Sequence, residues 1–300
     1  MQRAFLILGL LLAAVMALLW ATGGYATLQA QVLQGQREVQ SALAGAVRAI
    51  RAGQPGALAG LLGVCFSYGV LHAAGPGHGK VLIGGYGIGR RVPVLALSGI
   101  ALTASLAQAA LAVAVVYAGV AVLGWTRGQM EGVAEDVMAP VGSAAIAGVG
   151  LWLVWRGLRG IRAAAVVQAH NGHHDHHHDA DCGCGHAHGP TLAEVDKLTN
   201  WRDTTALIAG IALRPCSGAL FLLILTWQMG IGTAGIAGTF AMGFGTALVT
   251  IGVALMAVWA REGALASLPG SRIVRALPWF EVLAGAVVAL VALSLLVQAL

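Results

Sequence analysis

The stretch HAAGPGHGKV, which begins at His72, places two histidines on either side of a Gly-Pro-Gly sequence inside a long apolar run. Neutral imidazole is a common ligand of divalent transition metals, so His72 and His78 are candidate metal ligands. Proline removes a backbone donor and glycine tolerates unusual dihedral angles, so a helix should break at Gly75, Pro76 and Gly77. On a continuous helix the two histidines would lie about 240° apart. A break between them lets both side chains face one metal ion.

A second pattern of the same kind occurs in ALRPCSGAL, because Pro215 and Gly218 repeat the spacing of Pro76 and Gly79 after 139 residues. The same displacement relates two pairs of apolar runs, which are residues 94–124 with 233–260 and residues 138–158 with 278–300. Each unit would contain three helices, so the second copy must have the opposite orientation in the membrane. This predicts the inverted repeat of many secondary transporters, which bind substrate near the midplane between discontinuous helices.

Several other residues near these breaks or within the same runs are candidates for lining the pathway or supporting it. They are Lys80, Gln108, Arg214, Pro215, Cys216, Ser217 and Thr246. Lys80 either extends its amine toward the interface or keeps the site from binding cations too tightly. Arg214 is expected to pair with carbonyl groups freed by the break, and Cys216 either packs as a small apolar side chain or lines the pathway. Gln108 and Thr246 are expected to form hydrogen bonds between helices.

A polar loop, HNGHHDHHHDADCGCGHAHG, begins at His170 and holds eight of the ten histidines. Its candidate metal ligands are His170, His173, His174, His176, His177, His178, Cys182, Cys184, His186 and His188. Imidazole and thiolate groups suit nickel, cobalt, zinc or copper, and a polar, glycine-rich segment makes a flexible binder. The loop is therefore predicted to capture metal, with a solvated linker as the alternative. It is not expected to be the transport site, because such a loop cannot hold a geometry across the bilayer.

The composition is that of an integral membrane protein. Hydrophobic residues make up 58% of the chain and charged residues 10%, with a mean hydropathy of +0.81; an ordinary soluble domain is about 25% charged. A membrane-spanning helix needs about 20 apolar residues. Seven runs meet this requirement, at residues 4–22, 56–86, 94–124, 138–158, 204–228, 233–260 and 278–300. The predicted fold is all-α, with about seven transmembrane helices: an N-terminal helix and two inverted three-helix repeats with broken helices.

The predicted organisation has five parts. They are residues 1–24, an N-terminal transmembrane helix; 25–55, an amphipathic extracytoplasmic segment; 56–158, the first repeat; 159–203, the His-rich loop; and 204–300, the second repeat. A secretory signal peptide is the competing interpretation of the first part. In the second part, apolar residues recur at helical spacing from Leu28 to Val47, which is typical of an interfacial or packed amphipathic helix.

The distribution of lysine and arginine predicts the orientation. Alternate loops carry 11 basic residues on one side of the predicted membrane and four on the other. Cytoplasmic loops carry the excess of lysine and arginine. The N-terminus and the 159–203 loop are therefore expected in the cytoplasm and Leu300 outside. Two of the four cysteines lie in predicted spans and two in this loop, so no disulfide framework is expected.

Other classes of protein fit the sequence less well. GHGK lacks the G-x-x-x-x-G-K-[ST] pattern of a nucleotide-binding loop, because Ala74 and Val81 stand at two key positions. An intramembrane metalloprotease would need H-E-x-x-H, which is absent, and no enzyme is predicted. A cation diffusion facilitator would need intramembrane aspartates, whereas every aspartate lies in a predicted loop. A membrane-anchored metal sensor or store would not explain two breaks at matched positions.

Three stretches resemble the NicO/RcnA family of nickel and cobalt transporters: SYGVLHAAGPGHGKVLIGGY from Ser67, ALRPCSGALFLL and AMGFGTALVT, together with the histidine-rich loop. The likeness extends from about residue 25 to the end, and His-Ala-x-Gly-Pro-Gly-His-Gly-Lys is its most specific part. The resemblance implies Ni²⁺ or Co²⁺ movement through a helical bundle, with His72 and His78 as ligands. Members with such a loop are mostly exporters, while relatives act in uptake. Ser217 departs from the family, since many relatives carry proline there.

The sequence therefore predicts a secondary transporter of Ni²⁺, Co²⁺ or both in the cytoplasmic (inner) membrane of a bacterium, working in efflux. An uptake permease and an exporter of zinc or another divalent metal are the alternatives. The expected partners are divalent metal ions and the lipid bilayer, and no nucleic acid is expected. The metal ion is the substrate, and no cofactor is predicted. Whether a periplasmic partner takes part is left open.

Overall fold

The computed structural model describes residue 18 and residues 21–75, 78–90, 92–170, 201–266 and 270–299. These residues form α-helices and one π-helical segment, Val133–Met138, with no strand among them. In chain order the helices are α1 (Gly24–Arg51), α2 (Ala57–Ala74), α3 (His78–Gly89), α4 (Val94–Ala121), α5 (Arg127–Gly132), α6 (Ala139–His170), α7 (Trp201–Ala212), α8 (Ser217–Gln228), α9 (Gly232–Ala266) and α10 (Gly270–Ala299). The predicted all-α fold class is confirmed.

Long apolar runs form the helices because a helix satisfies its own backbone hydrogen bonds where water is absent. Five described segments are long and apolar enough to cross a membrane: Ala57–Ala74, Val94–Ala121, Gly128–Arg162, Gly232–Ala264 and Leu277–Val297. A sixth span results if Thr204–Ala212 and Ser217–Gln228, which are bent by 58°, count as one. The predicted number of seven is not confirmed, and the first predicted run lies mostly outside the described residues.

Both predicted helix breaks are present. Helix α2 ends at Ala74, where Gly75 takes an extended conformation (φ −63°, ψ 168°), and α3 begins at His78. Helix α7 ends at Ala212, and Cys216 is extended (φ −72°, ψ 126°) before α8 begins at Ser217. The run at 56–86 is thus two helices rather than one span, because proline and glycine interrupt the ladder of backbone hydrogen bonds.

The helices pack into two hydrophobic clusters, one on each side of the breaks. The first includes Leu82, Tyr86, Leu97, Leu153 and Leu207, and the second includes Leu43, Leu61, Tyr68, Val116 and Leu222. Small residues allow close helix crossings, as expected inside a membrane. A Cβ atom on Gly69 would collide with the Met242 carbonyl, and one on Gly245 would collide with the Phe66 carbonyl. Helices α2 and α9 therefore contact each other backbone to backbone.

The predicted inverted repeat is only partly reflected in the packing. In the predicted repeat, α4 corresponds to α9 and α6 corresponds to α10. Each of these pairs is in contact, as the repeat predicts. However, α10 packs extensively against α3, whereas among the described residues its counterpart α6 packs against α7 instead of α8. The breaks are equivalent in position, but their surroundings are not. The repeat stays a prediction.

The segment predicted to be amphipathic is the helix α1, which lies along α2. Leu43 and Val47 are fully buried and belong to the second hydrophobic cluster. The Val32 side chain lies close to Gly75, since a Cβ atom there would be 3.7 Å from Val32 Cγ1. The structure shows α1 packed on α2, and its place relative to the membrane surface stays a prediction. Helix α1 therefore runs alongside α2 as far as the first break.

Candidate metal-binding site between the two helix breaks

His72 and Cys216 bring the two helix breaks together. His72 lies in the last turn of α2, and Cys216 immediately precedes α8. The imidazole of His72 and the thiol of Cys216 lie close enough to interact electrostatically. One candidate nitrogen ligand and one candidate sulfur ligand from distant parts of the chain therefore lie beside each other where two helices are interrupted.

Two further side chains surround His72. The Tyr68 ring stacks on the imidazole, with centroids 5.9 Å apart and an angle of 10° between the planes. The Gln36 amide donates to the Tyr68 hydroxyl over 3.1 Å, and its nitrogen lies 3.5 Å from His72 Nδ1. The Tyr68 hydroxyl also contacts the side chains of Cys216 and Ser217. The imidazole is therefore held by neighbours on α1, on its own helix and at the second break.

Each break leaves a carbonyl group that receives a side-chain donor. Lys80 donates from Nζ to the Gly75 carbonyl oxygen in the first break. Gln108 on α4 donates from Nε2 to the Arg214 carbonyl oxygen over 2.5 Å in the second. Unpaired buried carbonyl groups are costly, so these two donors stabilise the interrupted backbone. The predicted role of Gln108 in a contact between helices is seen here.

Two small cavities adjoin the pair of candidate ligands. The first, of about 50 Å³, is lined in part by His72, Lys80 and Thr250, and the second, of about 20 Å³, in part by Cys216 and Thr239. Both cavities are also lined by Ser105, Gln108 and Thr246. Thr246 donates to the Gly69 carbonyl oxygen over 3.3 Å, so it joins α9 to α2. The two cavities therefore share a polar wall, with His72 on the first cavity and Cys216 on the second.

The chemistry of this arrangement suits a borderline transition metal. Imidazole and thiolate bind nickel, cobalt, zinc and copper, whereas hard ions such as Mg²⁺ prefer oxygen. A structural metal site usually has four protein ligands. No group of three or more His, Cys, Asp and Glu side chains occurs in the described part of the chain. The described residues therefore contribute two candidate ligands, His72 and Cys216, while His78, whose side chain lies outside them, stays a predicted ligand.

The structure places the predicted site residues in three groups. His72, Lys80, Gln108, Cys216 and Thr246 lie around the two cavities. Arg214 and Ser217 lie in or beside the second break, where Arg214 contributes its carbonyl oxygen, and Pro215 is buried there. Outside the described residues, or with side chains outside them, are Pro76, Gly77, His78, His170 and the whole of the loop from 171 to 200.

Sequence reasoning missed Gln36, Tyr68 and Ser105. A signal was available for Gln36, which stands between Val32 and Val39 on the apolar stripe of α1. A polar residue on such a stripe indicates a buried partner. Tyr68 precedes His72 by four residues and therefore lies on the same helix face. No sequence feature distinguishes Ser105 from other small residues of α4.

Residues 58–200 match the family model NicO, described as High-affinity nickel-transport protein. A protein of Haemophilus influenzae named "Putative nickel/cobalt efflux system" is 29% identical over 217 residues, which cover 68% of this chain and 67% of that protein. No solved structure matches the chain. These two similarities confirm the resemblance to nickel and cobalt transporters that the motifs around His72 and Pro215 indicated.

Proposed function

From its similarity to the NicO family, we propose that this chain transports Ni²⁺, Co²⁺ or both across the cytoplasmic membrane, in the direction of export. The observation that carries the proposal is the contact between His72 and Cys216. These two residues are 144 positions apart in the sequence, and their contact joins the two helix breaks. Discontinuous helices supply substrate sites in many secondary transporters.

The two cavities support a path through this pair. An ion would move from the cavity beside Lys80 to His72 and Cys216, and then to the cavity beside Thr239. The hydroxyl and amide groups of Ser105, Gln108 and Thr246 would replace part of its water shell along the way. Transport requires binding that is strong enough to admit an ion and weak enough to release it. Two protein ligands and a nearby lysine meet that requirement better than a closed four-ligand site.

The histidine-rich loop supports export. With eight histidines on a flexible tether, it would raise the local metal concentration on its own side of the membrane. The count of basic residues places that side in the cytoplasm. The name of the Haemophilus influenzae relative is that of an efflux system, which agrees with this direction.

We also propose that protons drive export through the histidines. Imidazole must be neutral to bind a metal ion and titrates nearest to neutral pH among the side chains. No aspartate lies in the predicted spans to take this role instead. If protons move opposite to the metal ion, protonation of the histidines on the acidic side of the membrane would release the metal ion there.

The test is metal flux in proteoliposomes containing the full chain, with Ni²⁺, Co²⁺ and Zn²⁺ compared in the presence and absence of a pH gradient. We expect Ni²⁺ or Co²⁺ flux that the gradient accelerates and that His72→Ala abolishes. Flux of Zn²⁺ alone would replace the proposed substrate, and flux unaffected by the gradient would contradict the proton coupling. No flux of any metal would contradict the proposed function.

Direction needs the orientation of the chain in cells. An impermeant thiol reagent should label Gln34→Cys, an exposed position on α1, in intact cells. Cys182 and Cys184 of the loop should react only after the cells are made permeable. The reverse labelling pattern would contradict capture from the cytoplasm and would favour uptake.

A further inference from the structure

Helix α1 carries a side chain into the candidate metal site. The half-buried Gln36 amide nitrogen lies 3.1 Å from the Tyr68 hydroxyl and 3.5 Å from His72 Nδ1. Gln36 precedes residues 58–200, which match the family, and the proposed transport path does not use it. Its contact with a metal-ligand candidate therefore needs an explanation of its own.

Gln36 is held in place by close packing of α1 on α2. A Cβ atom on Gly35 would lie 3.7 Å from the Leu71 side chain, in ordinary contact. One turn earlier, Val32 packs beside Gly75, and further along α1 the buried Leu43 and Val47 anchor the helix. The amide is therefore presented to His72 by a fixed helix face rather than by a mobile arm.

The position of Gln36 in the sequence points the same way. Apolar residues at Val32, Val39, Leu43 and Val47 follow the helical period, and Gln36 stands on that stripe where an apolar residue would be expected. Burial of an amide without partners costs free energy, whereas a paired amide does not pay that penalty. The amide of Gln36 is paired with groups of the candidate site, the Tyr68 hydroxyl and His72 Nδ1.

Histidine ligands depend on such partners. A neutral imidazole carries its proton on one nitrogen and can bind a metal ion only through the other. Metal-binding histidines almost always donate the second N–H to an oxygen acceptor, which fixes the ring and its tautomer. Because Nδ1 of His72 faces Gln36, Nε2 is the nitrogen left for the metal ion.

The Gln36 amide can supply that acceptor. Rotation of the amide by 180° exchanges its nitrogen and oxygen without moving the chain, and the oxygen then faces both Nδ1 and the Tyr68 hydroxyl. A tyrosine hydroxyl both donates and accepts, so Tyr68 keeps its hydrogen bond in either orientation. Only the orientation with the oxygen inward leaves an unprotonated Nε2 on His72.

We propose that Gln36 is a positioning residue that accepts a hydrogen bond from His72 Nδ1–H and so directs Nε2 to the transported ion. The identity of that ion rests on the proposed function, but the hydrogen bond does not. Tyr68, stacked on the imidazole, restricts the ring plane while Gln36 sets the tautomer. Helix α1 is thus a third structural element of the site, beside the two breaks.

The first test measures the tautomer directly on the metal-free full chain. ¹⁵N NMR of histidine-labelled protein, with the His72 signals identified by their absence in His72→Ala, should show His72 protonated at Nδ1. In Gln36→Leu this preference should be lost. Protonation at Nε2 in the wild type, or an unchanged tautomer in Gln36→Leu, would overturn the proposal whichever metal is transported.

The second test measures transport, with variants chosen by hydrogen-bonding capacity. Gln36→Glu keeps a hydrogen-bond acceptor, and Gln36→Leu has none. Gln34→Leu is the matched control, because it makes the same change at an exposed position of α1. In the described residues the Gln34 side chain bonds only to Glu38. Loss of an outer partner of a metal ligand reduces affinity or activity by about 10- to 100-fold. We expect this loss, mainly in KM, for Gln36→Leu.

Gln36→Glu should stay within a few-fold of the wild type, and Gln34→Leu should be unchanged. Equal loss in Gln36→Leu and Gln34→Leu would show a general effect on α1 and overturn the proposal, as would full activity in Gln36→Leu. A wild type that moves neither Ni²⁺ nor Co²⁺ would instead refute the proposed function, and the NMR result would still decide the role of Gln36.

Discussion

The two helix breaks are built from equivalent sequence patterns but are stabilised differently. In the first, the Gly75 carbonyl is paired with Lys80, a cation from the helix that follows. In the second, the Arg214 carbonyl is paired with Gln108, a neutral amide from α4. The first break carries a candidate nitrogen ligand, His72, and the second a candidate sulfur ligand, Cys216.

We infer from this difference that the two breaks have divided roles. In the first break, the freed carbonyl of Gly75 is paired by Lys80, which belongs to the next helix, α3. Lys80 also brings a positive charge to the cavity that adjoins His72. The second depends on α4, so a movement of α4 would alter the backbone that carries Cys216. The proline and glycine patterns therefore determine where the chain is interrupted, whereas the neighbouring helices determine which donor pairs with each freed carbonyl.

The largest effect is expected from the two ligands. His72→Ala and Cys216→Ala should each abolish Ni²⁺ and Co²⁺ flux in proteoliposomes, because neither lost bond can be replaced by neighbouring side chains. His78→Ala is expected to do the same. The double change of His72 and Cys216 should be no worse than either single change, since the two act on one ion. Cys65→Ala, at a buried thiol away from the site, is the matched control and should stay active.

A second prediction compares equivalent glycines at the two breaks. A Cβ atom on Gly218 would overlap the Tyr68 ring, whereas one on Gly79 would meet Ile211 at an ordinary distance of 3.6 Å. Gly218→Ala should therefore cost about 1–3 kcal/mol of stability, as overpacking usually does, and should displace Tyr68 from His72. Gly79→Ala should be tolerated. Thermal unfolding in detergent and metal flux measure both, and equal sensitivity would show that the breaks are surrounded alike.

A third prediction removes the two carbonyl partners. Gln108→Leu leaves the Arg214 carbonyl unpaired and should cost about 1–3 kcal/mol, with a loss of maximal flux. Lys80→Met removes a donor and also a positive charge from the cavity beside His72. It should lower KM by about tenfold, or about 1.4 kcal/mol, while the maximal rate falls because release is slower. Lys80→Arg is the control that keeps the charge. The same kinetic change in Gln108→Leu and Lys80→Met would contradict the division of roles.

The smallest effect on maximal flux is expected from deletion of residues 170–188, which contrasts the fixed site with the tethered histidines. The deletion should raise the metal concentration needed for half-maximal flux, because local capture is lost. Most of the maximal rate should remain. Initial flux measured against metal concentration distinguishes the two effects. A deletion that is inactive at saturating metal despite normal membrane levels would place the loop in the path itself.

Much of the fold was predictable because it depends on local chemistry. Apolar runs of sufficient length form helices wherever water is excluded, and the Pro-x-x-Gly patterns interrupt them at Gly75 and before Ser217. The number of spans stays a prediction, since the described residues give five spans, or six if the bent pair counts as one, and the first predicted run lies mostly outside them. The packing of α10 on α3, without a counterpart between α6 and α8 in the described residues, was not indicated by the repeat.

Composition and the placement of proline and histidine were enough to predict the all-α membrane class, the two helix breaks and the kind of candidate ligand, because each of these depends on residues that are close in the sequence. Three contacts appear only in the folded chain: His72 beside Cys216, Gln108 with the Arg214 carbonyl, and Gln36 with Tyr68. Helical periodicity shows which side chains face inward, but it carries no information about which helix lies opposite. Which helix lies opposite depends on the packing of all the helices together. Here that packing requires glycines at the contacts: Gly69 lets α2 approach the backbone of α9 at Met242, and Gly218 leaves room for the Tyr68 ring.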